Sequence, residues 1–269
     1  NGIIGLLKIA EKHFDDSELV LENFGKMQVA ADYLLSLIND ILQMSKIEDG
    51  NVPLTQEIIN FDELSQDVLT IIEQRAKDRG IQMQFCSKKE GLRYPFIYGS
   101  PVHMRQIFLN IYGNCIKYNR IGGKIITVSD YTEAVDGITT YEWTITDTGI
   151  GMSREYQEHI FEPFSQERED ARSTQQGIGL GMAIVKGLIE KMGGTIEVKS
   201  EEGIGSTFII RIPFKLAPAP DTAKKTAAQM DISGLNLLLV EDNELNAEIA
   251  ETLLSECSRR NRKVILTQF

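Results

Sequence analysis

The stretch Asn110-Ile111-Tyr112-Gly113-Asn114-Cys115-Ile116-Lys117-Tyr118 decides how this chain is read. Asn110, Asn114 and Lys117 stand at i, i+4 and i+7, so they share one face of a helix. They interrupt an apolar stripe made by Ile107, Ile111 and Cys115. Two neutral amide oxygens and a lysine on a flexible stem suit magnesium and phosphate. Downstream, Asp147-Thr148-Gly149-Ile150-Gly151-Met152 sets a carboxylate at the end of an alternating strand. Asp147 is placed there to accept a hydrogen bond from an exocyclic amine such as that of adenine, and Gly149 and Gly151 let backbone approach a flat ring. Gly177-Ile178-Gly179-Leu180-Gly181-Met182 is a glycine-dense turn into another helix, where free N–H groups can hold phosphate oxygens. An Asx turn alone would explain Asp-Thr-Gly, and close helix packing would explain the later glycines. Taken together, residues 110–181 describe a nucleotide pocket.

Outward from this centre the elements follow in order. The polar segment Ser165 to Gln176 lies between the two glycine motifs and suits a lid over bound nucleotide, with Arg172 as a phosphate partner. Strands are expected at 54–59 and 81–85, a connection or short strand at 94–99, and a helix at 61–79. Lys124 to Tyr131 and Ile138 to Thr146 read as an antiparallel pair, and 195–200 with 206–213 as a second hairpin. This order of helices and antiparallel strands predicts an α/β sandwich over residues 51–215. Before it, residues 1–50 show helical periodicity, with Phe24, Met27, Ala31, Leu34, Ile38 and Ile41 alternating three and four apart. Two antiparallel helices of this kind leave an apolar face uncovered. A two-fold dimer forming a four-helix bundle would cover it, as would packing against the following domain. Residues 216–233 are a linker rich in Ala, Pro, Lys and Thr. Residues 234–269 open a new unit: an apolar strand ending in Glu241-Asp242, then a helix, as in the first βα unit of a doubly wound domain. Residues 258–269 have no physical account at this level.

Composition narrows the class. Lys plus Arg is 28 and Asp plus Glu is 39, a net charge of −11, which argues against general nucleic-acid binding. Cys86, Cys115 and Cys257 lack metal spacing and are expected as buried thiols in a reducing compartment. His13, His103 and His159 are isolated from one another and read as ordinary histidines. No apolar run is long enough to span a membrane. The chain begins mid-pattern without a methionine, so it reads as a piece of a longer, N-terminally extended protein. The expectation is a cytoplasmic module, with a parent anchored in the bacterial inner membrane left open.

At this point the sequence resembles the hybrid sensor histidine kinases of two-component systems. Residues 110–118 look like that family's N box, 147–152 its G1 box, Phe161-Glu162-Pro163-Phe164 its F box, and 177–181 its G2 box. The resemblance implies a dimerisation and histidine-phosphotransfer helical hairpin, then an ATP-binding domain of the GHKL (Bergerat) type, then a truncated receiver. It implies ATP and Mg2+ as ligands, with Asn110 and Asn114 on magnesium and Lys117 on phosphate. Tyr118 stands near the nucleotide in this scheme and Asp147 reads adenine. Gly149, Gly151, Gly177, Gly179, Leu180 and Gly181 form the pocket and lid hinge, and Arg172 is the lid arginine. Glu241 and Asp242 match the acidic pair of a receiver's magnesium site. The implied activity is transfer of the γ-phosphoryl group of ATP to a histidine, and onward to a receiver aspartate. Implied partners are a second copy through the hairpin and a receiver domain or response regulator. Three departures stand out. The acceptor histidine would lie just before Asn1, the receiver pattern stops after Cys257, and Ser100 and Cys115 replace the usual Asp and Ala. The alternatives are an ATP-binding scaffold without transfer chemistry and a structural dimeriser.

Overall fold

A computed structural model describes residues 2–89, 93–166 and 179–219, with backbone alone at 237–240 and 264–267. The chain divides into two units, Asn1–Ala219 and Pro220–Phe269.

The first unit begins with α1 (Gly2–Lys12) and α2 (Ser17–Glu48), which pack on each other across a short turn. Asp16 caps α2, its carboxylate accepting the Leu19 N–H at 3.1 Å. This supplies a partner for one of the orphan donors at a helix start. Gly50, at φ 73°, follows the other end. The predicted stripe on α2 is open: Phe24, Leu34, Leu35, Ile38, Ile41 and Leu42 each keep about half their surface exposed (49–59%). Near its C-terminus the same helix docks. Met44 and Ile47 pack on the core that follows, and the Gln43 and Gln106 side-chain amides exchange hydrogen bonds at 2.7 and 2.5 Å.

A seven-stranded sheet follows, made of β1 (Glu57–Asn60), β2 (Gln82–Ser87), β3 (Phe96–Gly99), β4 (Lys124–Tyr131), β5 (Ile138–Asp147), β6 (Thr195–Glu201) and β7 (Gly205–Leu216). Its order is β1-β3-β7-β5-β4-β2, with β6 also on β7. Only β2 with β4 is parallel. Both predicted hairpins form: Val128 faces Thr144, and Val198 faces Phe208. Helices α3 (Phe61–Asp78), α4 (Pro101–Lys117) and α6 (Gly181–Lys191) supply the second layer, and α5 (Arg154–His159) lies beside β6. Their apolar faces and the inward strand positions form one core, with Ile97, Ile107, Ile111, Ile145, Ile184 and Ile210 at 0% exposure. Burial of that much apolar surface is the main force holding the layers together.

Two sequence expectations change. The strand predicted from Leu54 starts at Glu57, because its partner β3 offers only four residues to pair with. Cys86 is exposed rather than buried, because β2 is an outer strand paired on one side only, while Cys115 is buried as expected. Cys257 lies outside the described residues. Among the described residues no helix is long and apolar enough to cross a membrane.

In the second unit, β8 (Leu237–Val240) and β9 (Val264–Thr267) pair in parallel, with Leu237 opposite Val264. The apolar Val264-Ile265-Leu266, left without an account by the sequence, is therefore a strand partner. Parallel neighbours require a crossover connection. That connection, including Glu241 and Asp242, lies outside the described residues.

Candidate functional site

The site is built around α4. Pro101 occupies its first turn, where a missing N–H costs nothing. Its N-cap, Ser100, makes no capping bond; its hydroxyl instead meets His103 Nδ1 at 2.7 Å and accepts from Thr55 at 3.0 Å. Ile107, Ile111 and Cys115 face the core at 0–1% exposure. Asn110, Asn114 and Lys117, between them, are half-buried. The Asn114 side chain makes no hydrogen bond, and Lys117 no ion pair, with any described residue. The Lys117 ammonium sits 4.8 Å from the centre of the Tyr118 ring. Tyr118 itself is about half exposed at the helix C-cap.

Both glycine-bearing segments meet this helix. Asn110 Nδ2 lies 3.4 Å from the carbonyl oxygen of Gly181, the first residue of α6. No side chain caps α6, whose N-cap is the buried Leu180. Its first N–H groups are thus of the kind that bind anions. At the C-terminal end of α4, the Ile150 N–H donates to the Tyr118 carbonyl at 3.0 Å. A Cβ on Gly149 would stand 2.5 Å from that same carbonyl oxygen, so only glycine allows the two segments this close. Gly151 and Gly179 hold φ of 68° and 79°, the left-handed region. Phe164 donates its N–H to the Gly179 carbonyl at 3.1 Å, tying residues 161–164 to the same cluster.

Asp147 closes β5. Burial alternates along this strand through Thr139, Tyr141, Trp143 and Ile145, and the next inward position is Asp147. A period of two therefore turns a carboxylate, 6% exposed, into the helix-covered face. The Gly149 N–H donates to its Oδ1 at 2.8 Å, and the nearby Cys115 thiol and Ser206 N–H also favour its charged form. Desolvation raises its pKa above the ordinary value, and these three groups hold it down in part. Burial pushes the Cys115 thiol well up, with the Asp147 charge adding to it, so it stays a donor.

The structure thus brings together Asn110, Asn114, Lys117, Tyr118, Asp147, Gly149, Gly151, Gly179, Leu180 and Gly181. Arg172 and Gly177 lie outside the described residues, as does most of the expected lid. Several contributors escaped the sequence reading. Gln157 fastens the 152–153 turn to β6, donating to the Met152, Ser153 and Ser200 carbonyls and accepting the Ser200 N–H at 2.9 Å. The Arg120 guanidinium donates to the Gly203 carbonyl, and the Thr148 hydroxyl accepts the Lys124 N–H at 2.8 Å. The serine, glutamine and threonine types carry no signal of their own; only the proximity of Gly203 and Gly205 to a hairpin hinted at this side of the site.

Comparison with known proteins fits this geometry. Residues 99–216 match the family described as histidine kinase-, DNA gyrase B- and HSP90-like ATPases. Over 261 residues the chain is 33% identical to the sensor protein GacS of Pseudomonas syringae pv. syringae, covering 96% of this chain and 28% of that protein. It is 31% identical to the sensor histidine kinase AruS of Pseudomonas aeruginosa, covering 97% and 25%. The autoinducer 2 sensor kinase/phosphatase LuxQ of Vibrio parahaemolyticus is 28% identical, covering 95% and 30%. The chain therefore spans under a third of the length of these curated relatives. Among solved structures, full-length ShkA in complex with AMPPNP superposes with a TM-score of 0.63 at 25% identity, over 99% of this chain and 52% of that one. The match, the glycine-hinged cluster around α4 and the carboxylate at the end of β5 agree: this chain carries the histidine kinase-type ATPase domain of the two-component sensor kinases and is homologous to the hybrid members of that family.

Proposed function

We propose that the cluster around α4 binds ATP with magnesium, and that the longer protein transfers the γ-phosphoryl group to a histidine outside this chain and then to a receiver aspartate. One observation carries the reading. The helix bearing Asn110, Asn114 and Lys117 is joined at its middle, through Asn110, to the start of α6 and at its C-terminal end to the loop after Asp147. The residues fit the ligands. Two half-buried amides and a lysine with no ion pair among the described residues form a neutral-oxygen and cation set suited to a magnesium-bearing phosphate chain. Buried Asp147 is an acceptor before the glycine-bearing loop, where an adenine amine would be read. In this scheme Asn110 and Asn114 hold magnesium, which supplies positive charge against the phosphates. Lys117, the N–H groups of Gly179 to Gly181 and the start of α6 orient the phosphate oxygens. Tyr118 flanks the nucleotide, and Gly149, Gly151 and Gly177 shape the backbone around it. Residues 165–176, with Arg172, exclude water from the terminal phosphate and so limit hydrolysis.

The organisation we propose is a phosphotransfer hairpin over 1–50, an ATP-binding domain over 51–215, a linker over 216–233 and a receiver-like segment over 234–269, with Glu241 and Asp242 at a receiver magnesium site. The open stripe on α2 supports a second copy of the chain as its cover, in a four-helix bundle. LuxQ is by its name a kinase and phosphatase, and ShkA was solved with an ATP analogue; both properties point the same way for this chain. The test uses the parent protein with its full helical hairpin and γ-labelled ATP. Acid-labile, base-stable label on the protein is the expected result. Nucleotide binding without such label would leave a binding scaffold instead.

A further inference from the structure

Away from the α4 cluster, the sandwich holds a cavity of about 220 Å³ between α3, α4 and the β2-β4-β5 side of the sheet. For comparison, an engineered apolar cavity of about 150 Å³ takes up benzene. Its deep wall is aromatic. The Phe61 ring stacks on Tyr141 and Trp143 at 5.0 and 5.5 Å, within 21° of parallel, and Phe108 meets Trp143 edge-on at 5.1 Å. These rings are buried, at 2–7% exposure, and line the cavity. The mouth is polar and carries two carboxylates. Asp130 is already matched, with the Lys88 and Lys89 ammonium groups 3.5 and 3.9 Å away. Asp62 is different. It lies in the first turn of α3, where the helix favours its charge, and makes no ion pair with any described residue. Its field reaches Tyr141 in the wall: burial chiefly, then Tyr131 and Asp62, hold that hydroxyl above its ordinary range.

A set of ring faces with one uncompensated carboxylate at the rim is the chemistry that recognises an organic cation with a flat apolar body. We propose that this cavity is a second ligand site, for a small aromatic amine whose ring lies against the cavity-facing sides of Phe61, Trp143 and Phe108 and whose ammonium group rests at Asp62. The site shares no residue with the α4 cluster, and nothing in the proposal depends on nucleotide binding.

Trp143 is the single tryptophan of the chain, so its emission reports directly on the cavity. Phenethylamine and its neutral counterpart propylbenzene are titrated against the full chain. The expected result is a saturable emission change with both, and tighter binding of the amine by up to about fivefold, the size of an exposed ion pair. Asp62→Asn should remove that preference while leaving propylbenzene binding unchanged. Ser65→Phe, which places a ring at the mouth from α3, should abolish both titrations. A second readout does not depend on that variant folding. Cys86 lines the same opening and is exposed. In a Cys257→Ser background, its modification by a thiol reagent should slow several-fold when phenethylamine is saturating. A non-saturating emission change, with Cys86 reacting at the same rate with and without amine, would overturn the proposal and make the cavity a packing gap behind an outer strand. Equal affinity for both probes would overturn the role of Asp62.

Discussion

Helices α2 and α4 carry the same kind of apolar stripe and meet opposite fates. In α4, Ile107, Ile111 and Cys115 are at 0–1% exposure under the sheet. In α2, Phe24, Leu34, Ile38 and Ile41 are each about half exposed. The difference lies in what each helix meets among the described residues: α4 packs on α3 and α6 and reaches β4 and β5 through Tyr112 and Phe108, whereas α2 packs on α1 and, near its C-terminus, on α6. A buried stripe explains stability, while an open one of this length calls for a partner. The polar residues divide differently: on α4 Asn110 borders Gly181, while on α2 Asn23 is buried and Gln43 is bonded to Gln106.

The largest effect should come from the buried stripe. Ile111→Ala is expected to cost about 2–5 kcal/mol in denaturant unfolding, since it opens a cavity in a fully packed core. Ile38→Ala, measured at low protein concentration, should cost well under that and should instead weaken self-association in sedimentation. Equal losses would break the comparison. The docked end of α2 gives a sharper intermediate case. Ile47 sits so close over Gly187 that an added Cβ would lie 2.5 Å from Ile47 Cγ2. Gly187→Val should therefore cost about 1–3 kcal/mol and loosen α2 from α6, detectable as faster amide exchange at Met44 and Ile47. Unchanged exchange would mean that this contact does not hold the two helices.

These contrasts also show what the residues alone could reveal. The polar face of α4 was legible because a helix period is local, and Asp147 because the strand period runs unbroken from Thr139. The groups that favour the charged form of Asp147 were not: Cys115 comes from α4 and Ser206 from another strand, and neither type announces such a role. The exposure of Cys86 depended on β2 being an outer strand, a fact of topology that no alternation pattern contains. The pairing of Val264 to Thr267 with Leu237 to Val240 was hidden for the same reason. The open stripe of α2 was legible as a stripe, but only the fold shows that its last turns, at Met44 and Ile47, are already taken.

A smaller effect separates stability from binding at Asp147. Its carboxyl titrates above the ordinary carboxylate value in the folded chain, chiefly through burial. The folded state therefore holds this proton more tightly than the unfolded one. Its contribution to stability is complete below the unfolded pKa and is lost as pH rises through the folded value. Nucleotide affinity should run the other way, falling as pH drops through the folded value, because the carboxylate accepts the adenine amine more strongly than the neutral carboxyl does. In Asp147→Asn this segment of both pH profiles should flatten. Parallel movement of stability and affinity would contradict the assignment.

The most direct measurement is a calorimetric titration of this chain with ATP and magnesium, repeated with Asn114→Ala and Asp147→Asn. The account predicts saturable, magnesium-dependent binding, reduced roughly 10- to 100-fold by each substitution, as for loss of a hydrogen bond to a charged group, with each apo variant still folded. Binding that is absent at millimolar nucleotide, or undiminished in both variants, would contradict it.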